Sequence, residues 1–260
     1  MMQRHFVAVA VLAVVVGTGC VSTSHVQTAD TLGQGKFQFA MEPGVGGTAV
    51  FSDEGSGGVV YPHVDLALRY GVTDNLDLGV RFGSSLVELQ SKILLTSPRD
   101  PAKAISLAPS VMGFFFGSGD GSVNYINLAL PVLIGFKTDG GSEFVLGPRL
   151  VGTNISTGSG GESASVNVLS VGGSVGYALR VSEGFRLMPE IGVSIPVVGE
   201  VNTSQSDSEV LSGFGGGFVQ FKLGFLFGQG RPISRNTGGD PAYEEGQPQE
   251  EKTEEGNSEY

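Results

Sequence analysis

Along most of the chain, apolar residues recur at every second position. In Val59–Tyr70 one side reads Val60, Pro62, Val64, Leu66, Leu68 and Tyr70. The other reads Val59, Tyr61, His63, Asp65, Ala67 and Arg69. Period two marks a strand with one apolar face. Leu76–Phe82 sets Leu76, Leu78, Val80 and Phe82 against Asp77, Gly79 and Arg81. Val87–Thr96, Asn124–Lys137, Leu169–Val181, Phe185–Val197 and Gly217–Phe227 alternate in the same way. Their polar sides carry Glu88, Gln90, Lys92, Asn127, Arg180, Arg186, Glu190 and Lys222. Phe37–Met41, Ile105–Phe116 and Phe144–Gly152, which holds Arg149, are weaker members of the set.

These runs predict about ten strands, within a range of roughly 8–12, most with the ~9–11 residues of a tilted membrane-crossing strand. Strands of a soluble sandwich are shorter, usually ~5–6 residues. After the N-terminal apolar run no stretch approaches the ~18–20 residues of a membrane helix. The longest candidate is Leu128–Phe136. An integral membrane protein of this kind must be a closed barrel, because lipid leaves no partner for open backbone groups. The expected fold is therefore all-β: an antiparallel up-and-down transmembrane β-barrel over residues 36–228.

The connections suggest an orientation. Gly71–Asn75, Ser97–Lys103, Thr138–Glu143 and Ser182–Gly184 are short, whereas Pro43–Gly58, Thr153–Ser165 and Val198–Gly213 read as long Gly/Ser-rich loops. Two connections on the long side, Gly83–Leu86 and Gly117–Ser122, are short. Short turns on the side of both termini and longer loops opposite are the arrangement of outer-membrane barrels. Pro62, Pro109, Pro131, Pro148, Pro189 and Pro196 fall within the expected strands. Each removes a ladder donor, so bulges are expected there.

Composition adds the two ends. Arg4 precedes an unbroken apolar run, Phe6–Val16, followed by Gly17-Thr18-Gly19-Cys20. This reads as an export signal over residues 1–19, too short to span a membrane. The single cysteine, Cys20, forms no intrachain disulfide and belongs to no zinc cluster. Gly19-Cys20 resembles a bacterial lipoprotein box, although Gly17 stands where that box usually has Leu. Lipidation of Cys20 is the expected outcome, and ordinary cleavage after small residues is the open alternative. Residues 20–35 then read as an N-terminal linker. Residues 229–260 carry Asp240, Glu244, Glu245, Glu250, Glu251, Glu254, Glu255 and Glu259 against Arg231, Arg235 and Lys252. This segment is expected to be a disordered acidic tail in the periplasm. The net charge of −11 argues against a nucleic-acid partner, which needs a basic face.

The stretch Arg69-Tyr70-Gly71-Val72-Thr73-Asp74-Asn75-Leu76-Asp77-Leu78-Gly79-Val80 resembles the strand–turn–strand signature of bacterial outer-membrane β-barrel proteins. Cys20 followed by Thr31-Leu32-Gly33-Gln34-Gly35-Lys36-Phe37-Gln38-Phe39 resembles the start of lipoprotein-type members. The resemblance implies a barrel in the bacterial outer membrane, in contact with its lipids, and no particular activity. The chain has no Trp for an aromatic girdle, leaving Tyr61, Tyr70, Phe82, Phe116 and Phe144 for that place. Phe227, where many barrels carry a C-terminal assembly signal, is followed here by the tail.

Candidate chemistry is sparse. His63, Asp65 and Arg69 share one polar face, and a His beside a carboxylate could act as a base. The competing reading places His63, Asp65, Arg69, Asp77, Arg81, Glu88, Lys92, Arg149, Arg180, Arg186, Glu190 and Lys222 in one lumenal network of paired charges. That is the favoured reading, because buried charges must pair. Gly172-Gly173-Ser174-Val175-Gly176 has the pattern of a nucleophile elbow but lies in mid-strand rather than at a strand-to-helix turn. Gly117–Gly121 and Gly158–Gly161 lack the Lys-Ser/Thr of a phosphate loop. No cofactor and no metal are expected. The expected role is a structural or narrow-channel barrel passing small solutes. A lipid-modifying enzyme using His63 and a surface-binding barrel using the long loops are the alternatives.

Overall fold

The alternation resolves into a ladder of strands in a computed structural model. It describes residues 26–228 apart from 53–54, 84–85, 99, 119–120, 160–161, 205 and 213–214. The expected signal, Cys20 and the acidic tail lie outside the described residues. The strands are β1 (Phe37–Ser52), β2 (Gly55–Gly71), β3 (Leu76–Gly83), β4 (Leu86–Leu94), β5 (Lys103–Leu107), β6 (Ser110–Ser118), β7 (Gly121–Lys137), β8 (Glu143–Leu146), β9 (Arg149–Ser159), β10 (Glu162–Ser182), β11 (Phe185–Thr203), β12 (Ser206–Ser212) and β13 (Gly215–Gly228).

Each strand pairs antiparallel with its neighbours, and β13 pairs back onto β1, with Phe39 opposite Phe227 and Val45 opposite Phe221. The sheet is thus closed. β5 and β6 follow one another along the gap between β4 and β7, and β8 and β9 along the gap between β7 and β10. β12 and β13 run in succession beside β11. Counted as whole walls, the molecule is a ten-stranded antiparallel barrel.

Prolines set the breaks. Pro109 separates β5 from β6, and Pro148 separates β8 from β9. Pro131 lies between them on β7. The ladder is carried across by single bonds: Ala108 N–H donates to Pro131 O at 3.0 Å and Val132 N–H to Pro148 O at 2.9 Å. Pro196 sits at a register shift between β10 and β11. Pro62 and Pro189, by contrast, stay within regular strands.

The long loops expected at Pro43–Gly58, Thr153–Ser165 and Val198–Gly213 are instead largely strand. β1 pairs with β2 up to Ser52 opposite Gly55, β9 with β10 up to Ser159 opposite Glu162, and β11 with β12 up to Thr203 opposite Ser206. Beyond a membrane both faces of a strand meet polar surroundings, so backbone pairing needs no apolar alternation to hold it.

The apolar faces point outward. Val64, Leu66 and Leu68 on β2 and Leu128, Leu130 and Phe136 on β7 are exposed, while Asp65, Ala67, Arg69 and Asn127 are buried. At the end where β1 begins and β13 stops, called the terminal end below, Phe37 packs on Tyr70 at 4.5 Å and Phe185 on Phe227 at 5.0 Å between ring centres. Tyr70, Phe82, Phe116 and Phe144 are exposed on the barrel surface. Tyr61 is not part of this set: it shares the inward face of His63 and lies 6.4 Å from the Phe218 ring.

Residues 26–35, expected as a linker, are built into the barrel instead. Val26 and Ala29 are fully buried, and Gln27, Thr28, Thr31 and Leu32 nearly so. The segment fills the mouth at the terminal end. Two wall glycines make room for it: a Cβ at Gly224 would collide with Val26, and one at Gly135 would meet Ala29 at 2.9 Å.

Candidate functional site

Inward-facing side chains on β2, β3 and β13 converge on Glu42 of β1. Its carboxylate receives Arg69 Nη2 at 3.0 Å, Lys222 Nζ at 3.1 Å and Arg81 Nε at 3.4 Å. Arg81 Nη1 reaches Glu88 at 3.0 Å, and Lys222 also binds Asp65. Arg69 donates to Gln38 Oε1 at 3.1 Å. Glu42 and Lys222 are completely buried. Strand alternation explains the convergence, since every second residue of a closed barrel points inward. Arg149 and Glu190 are also buried, and Arg149 lies in the field of Glu190, Arg81 and Glu88. Within this group Glu42, Asp65, Glu88 and Glu190 balance Arg69, Arg81, Arg149 and Lys222.

His63 stands at the edge of the same group. Its Nε2 lies 2.6 Å from the Gln220 side-chain amide, and its ring is 5.9 Å from Tyr61. It faces the lumen, away from the lipid-facing surface.

A second cluster lies at the terminal-end mouth and is completed by the N-terminal segment. Asp77 pairs with Lys92 at 3.1 Å and accepts the Leu32 N–H at 3.1 Å. Lys92 Nζ also donates to the carbonyls of Thr28 at 3.1 Å and Asp30 at 2.7 Å. Ala29 N–H donates to Glu143 at 2.7 Å, and Ser106 Oγ–H donates to Ala29 O. Lys137 pairs with the Asp30 carboxylate at 2.7 Å. The turn of the signature stretch is part of this dock: Thr31 Oγ–H donates to Asp74 O at 2.6 Å, and Gly35 N–H to Gly71 O at 2.8 Å.

The twelve residues singled out from the sequence are therefore divided. His63, Asp65, Arg69, Arg81, Glu88, Arg149, Glu190 and Lys222 lie in the central group, and Asp77 and Lys92 at the mouth. Arg180 and Arg186 are only partly buried, and Arg180 reaches Glu183 at 3.9 Å near the rim. The sequence reading missed Glu42, the hub, and Glu143. Glu42 lies one position past the weak Phe37–Met41 run. Its alternation with Gln38 and Ala40 would have found it. Glu143 fell at the end of an expected turn. Ser174 of the elbow pattern lies in the middle of β10, where Ser174 N–H and C=O both pair with Gly147. Outside the membrane wall, Asp100 caps its turn: the Ala102 and Lys103 N–H groups hold its carboxyl below the usual carboxylate range. Among the described residues no group of three or more His, Cys, Asp or Glu could hold a metal ion.

No family model and no curated protein matches the chain. Solved structures that it is similar to include Neisserial surface protein A, at 12% identity and TM-score 0.36, covering 73% of this chain and 96% of that one. The outer membrane protease OmpT from Escherichia coli is similar at 11% identity and TM-score 0.38, covering 80% and 100%. The outer membrane protein OprG from Pseudomonas aeruginosa is similar at 12% identity and TM-score 0.31, covering 78% and 100%. What makes this chain a barrel is its own ladder, closed from β13 to β1.

Proposed function

We propose that this chain, a bacterial outer-membrane β-barrel by its closed antiparallel ladder and apolar outer face, serves the cell envelope as a sealed structural barrel. The observation that carries this reading is the Glu42 hub. Arg69, Arg81 and Lys222 meet it from three strands with no exposed surface left on the carboxylate. The N-terminal segment closes the mouth below it. A solute crossing the lumen would have to displace both layers, and breaking buried ion pairs is costly.

In this reading the terminal end faces the periplasm, the tail hangs there, and Cys20 supplies a lipid anchor beside the mouth. The mature protein in a planar bilayer is expected to give no steady current, although it migrates faster on a gel unboiled than boiled. Discrete, stable conductance steps from the intact chain would overturn the sealed reading in favour of an open narrow channel.

The position of His63 supports a non-enzymatic role, because a lipid substrate would have to enter the lumen to meet it. His63→Ala is expected to leave envelope lipids unchanged by mass spectrometry. A changed acylation pattern would restore the enzyme reading.

One observation favours a second role at the outer end. β10 has 21 residues and β11 has 19, against the ~9–11 that a crossing strand needs. The surplus projects as a polar wall on which a surface partner could rest. Shortening the β9–β10 hairpin would test it through loss of cell-surface binding.

A further inference from the structure

On the outer face, β7, β9, β10 and β11 carry two adjacent rows of paired residues. In one, Leu128 pairs with Gly152, Gly152 with Leu169 and Leu169 with Val198. In the next, Ile126 pairs with Asn154, Asn154 with Asn167 and Asn167 with Glu200. Alternation turns both rows outward, as the burial of Thr153, Val168 and Asn127 beside them requires. The first row has a gap, because a Cβ on Gly152 would meet nothing within 4 Å. The two rows line a shallow groove of about 300 Å³ with an apolar floor and a polar edge.

The polar edge is organised. Asn154 Nδ2 donates to Asn167 Oδ1 at 2.7 Å. With Oδ1 so engaged, Asn167 has its amide N–H₂ to donate, and its cross-strand neighbour Glu200 presents a carboxylate to accept. The cross-strand neighbours of Glu200 are Asn167 and Val210, neither of them a cation. The groove also sits at a defined depth. Ile126, Leu128, Leu130, Val132, Ile134 and Phe136 form the outward row of β7, and the next outward residue is Asn124. Residues 126–136 match the length of strand that crosses the hydrocarbon layer. The edge therefore lies where acyl chains give way to headgroups. A carboxylate at that depth costs less than at the midplane and stands level with the charged groups of lipid headgroups.

We propose that this groove is a specific site for one membrane lipid, whose headgroup carries both a phosphate and a protonated primary amine. One acyl chain lies over Gly152 between Leu128 and Leu169. The amine pairs with Glu200, and the phosphate accepts from the Asn167 amide. The proposal rests on the barrel spanning a membrane.

The test uses the full mature chain, reconstituted in vesicles of phosphatidylethanolamine with phosphatidylglycerol, and separately of phosphatidylcholine with phosphatidylglycerol. Lipid retained after gentle detergent extraction is read by native mass spectrometry. The wild type is expected to retain one phosphatidylethanolamine per barrel in preference to phosphatidylcholine. Gly152→Phe, which fills the groove from open space, is expected to lower retention about tenfold, equivalent to ~1.4 kcal/mol. Glu200→Gln should keep a bound lipid but lose the preference for the amine headgroup. Equal retention by Gly152→Phe, or no headgroup preference in the wild type, would overturn the site. The unboiled-versus-boiled gel shift separates these results from misfolding. Failure of the wild type to insert into either vesicle would overturn the membrane reading, and the lipid site with it.

Discussion

Replacing Glu42 by alanine should destabilise the folded barrel by about 3–5 kcal/mol, the usual cost of removing one partner from a buried charge cluster. Three cations, Arg69, Arg81 and Lys222, would lose their common acceptor at once. Arg81 keeps Glu88 and Lys222 keeps Asp65, so the loss is not the sum of three bridges. The midpoint of urea unfolding, followed by the gel shift of unboiled samples, measures the effect. Adding Lys222→Met to Glu42→Ala should recover part of the loss, because it removes one stranded cation, and the double-mutant cycle gives the coupling. A single Glu42→Ala variant within 1 kcal/mol of wild type by that assay would mean that water, not the carboxylate, neutralises the lumen.

Deleting residues 26–35 should open the terminal-end mouth while leaving the barrel closed. The wall ladder does not include these residues, but Lys92, Asp77 and Glu143 would each lose hydrogen-bond partners. Buried polar groups left unpaired cost roughly 1–3 kcal/mol each. In an open mouth, entering water offsets much of that cost. The expected signature is access rather than collapse. In a background with Cys20 replaced, a cysteine at Ser106, now under the Ala29 carbonyl, should react with a small charged thiol reagent at least about tenfold faster than in the intact chain, a factor that corresponds to ~1.4 kcal/mol of protection. Gly224→Leu gives the same test without a deletion, since its side chain occupies the place of Val26. Unchanged labelling in both variants would mean that the segment does not guard the mouth.

The extent to which the sequence exposed this structure follows from the medium around each residue. In the band facing lipid, outward positions must be apolar and inward ones need not be, so Val59–Tyr70 and Asn124–Lys137 announced their strands and their faces. The charged inward residues came with them, which is why Asp65, Arg69, Arg81, Glu88 and Lys222 were legible as one group. Beyond the band that contrast vanishes. Thr153–Ser165 pairs through its backbone, and its Gly, Ser and Asn side chains carry no period, so it read as loop. Residues 26–35 failed for another reason. The segment is held by main-chain groups bonded to side chains distant in sequence, such as Ala29 to Glu143 and Leu32 to Asp77. No local pattern encodes contacts of that kind.

The place of the N-terminal segment also bears on the order of events during assembly. It leaves the ribosome before any strand, yet its partners include residues of β2, β3, β4, β5, β7 and β8, and its berth is lined by Gly224 of β13. Those elements surround a common space only after the seam between β1 and β13 has formed. The first part of the barrel to be synthesised is thus the last to be seated. Its docking reports that the circuit of strands is complete, so a chain with a defective seam would keep this segment free and open to proteolysis.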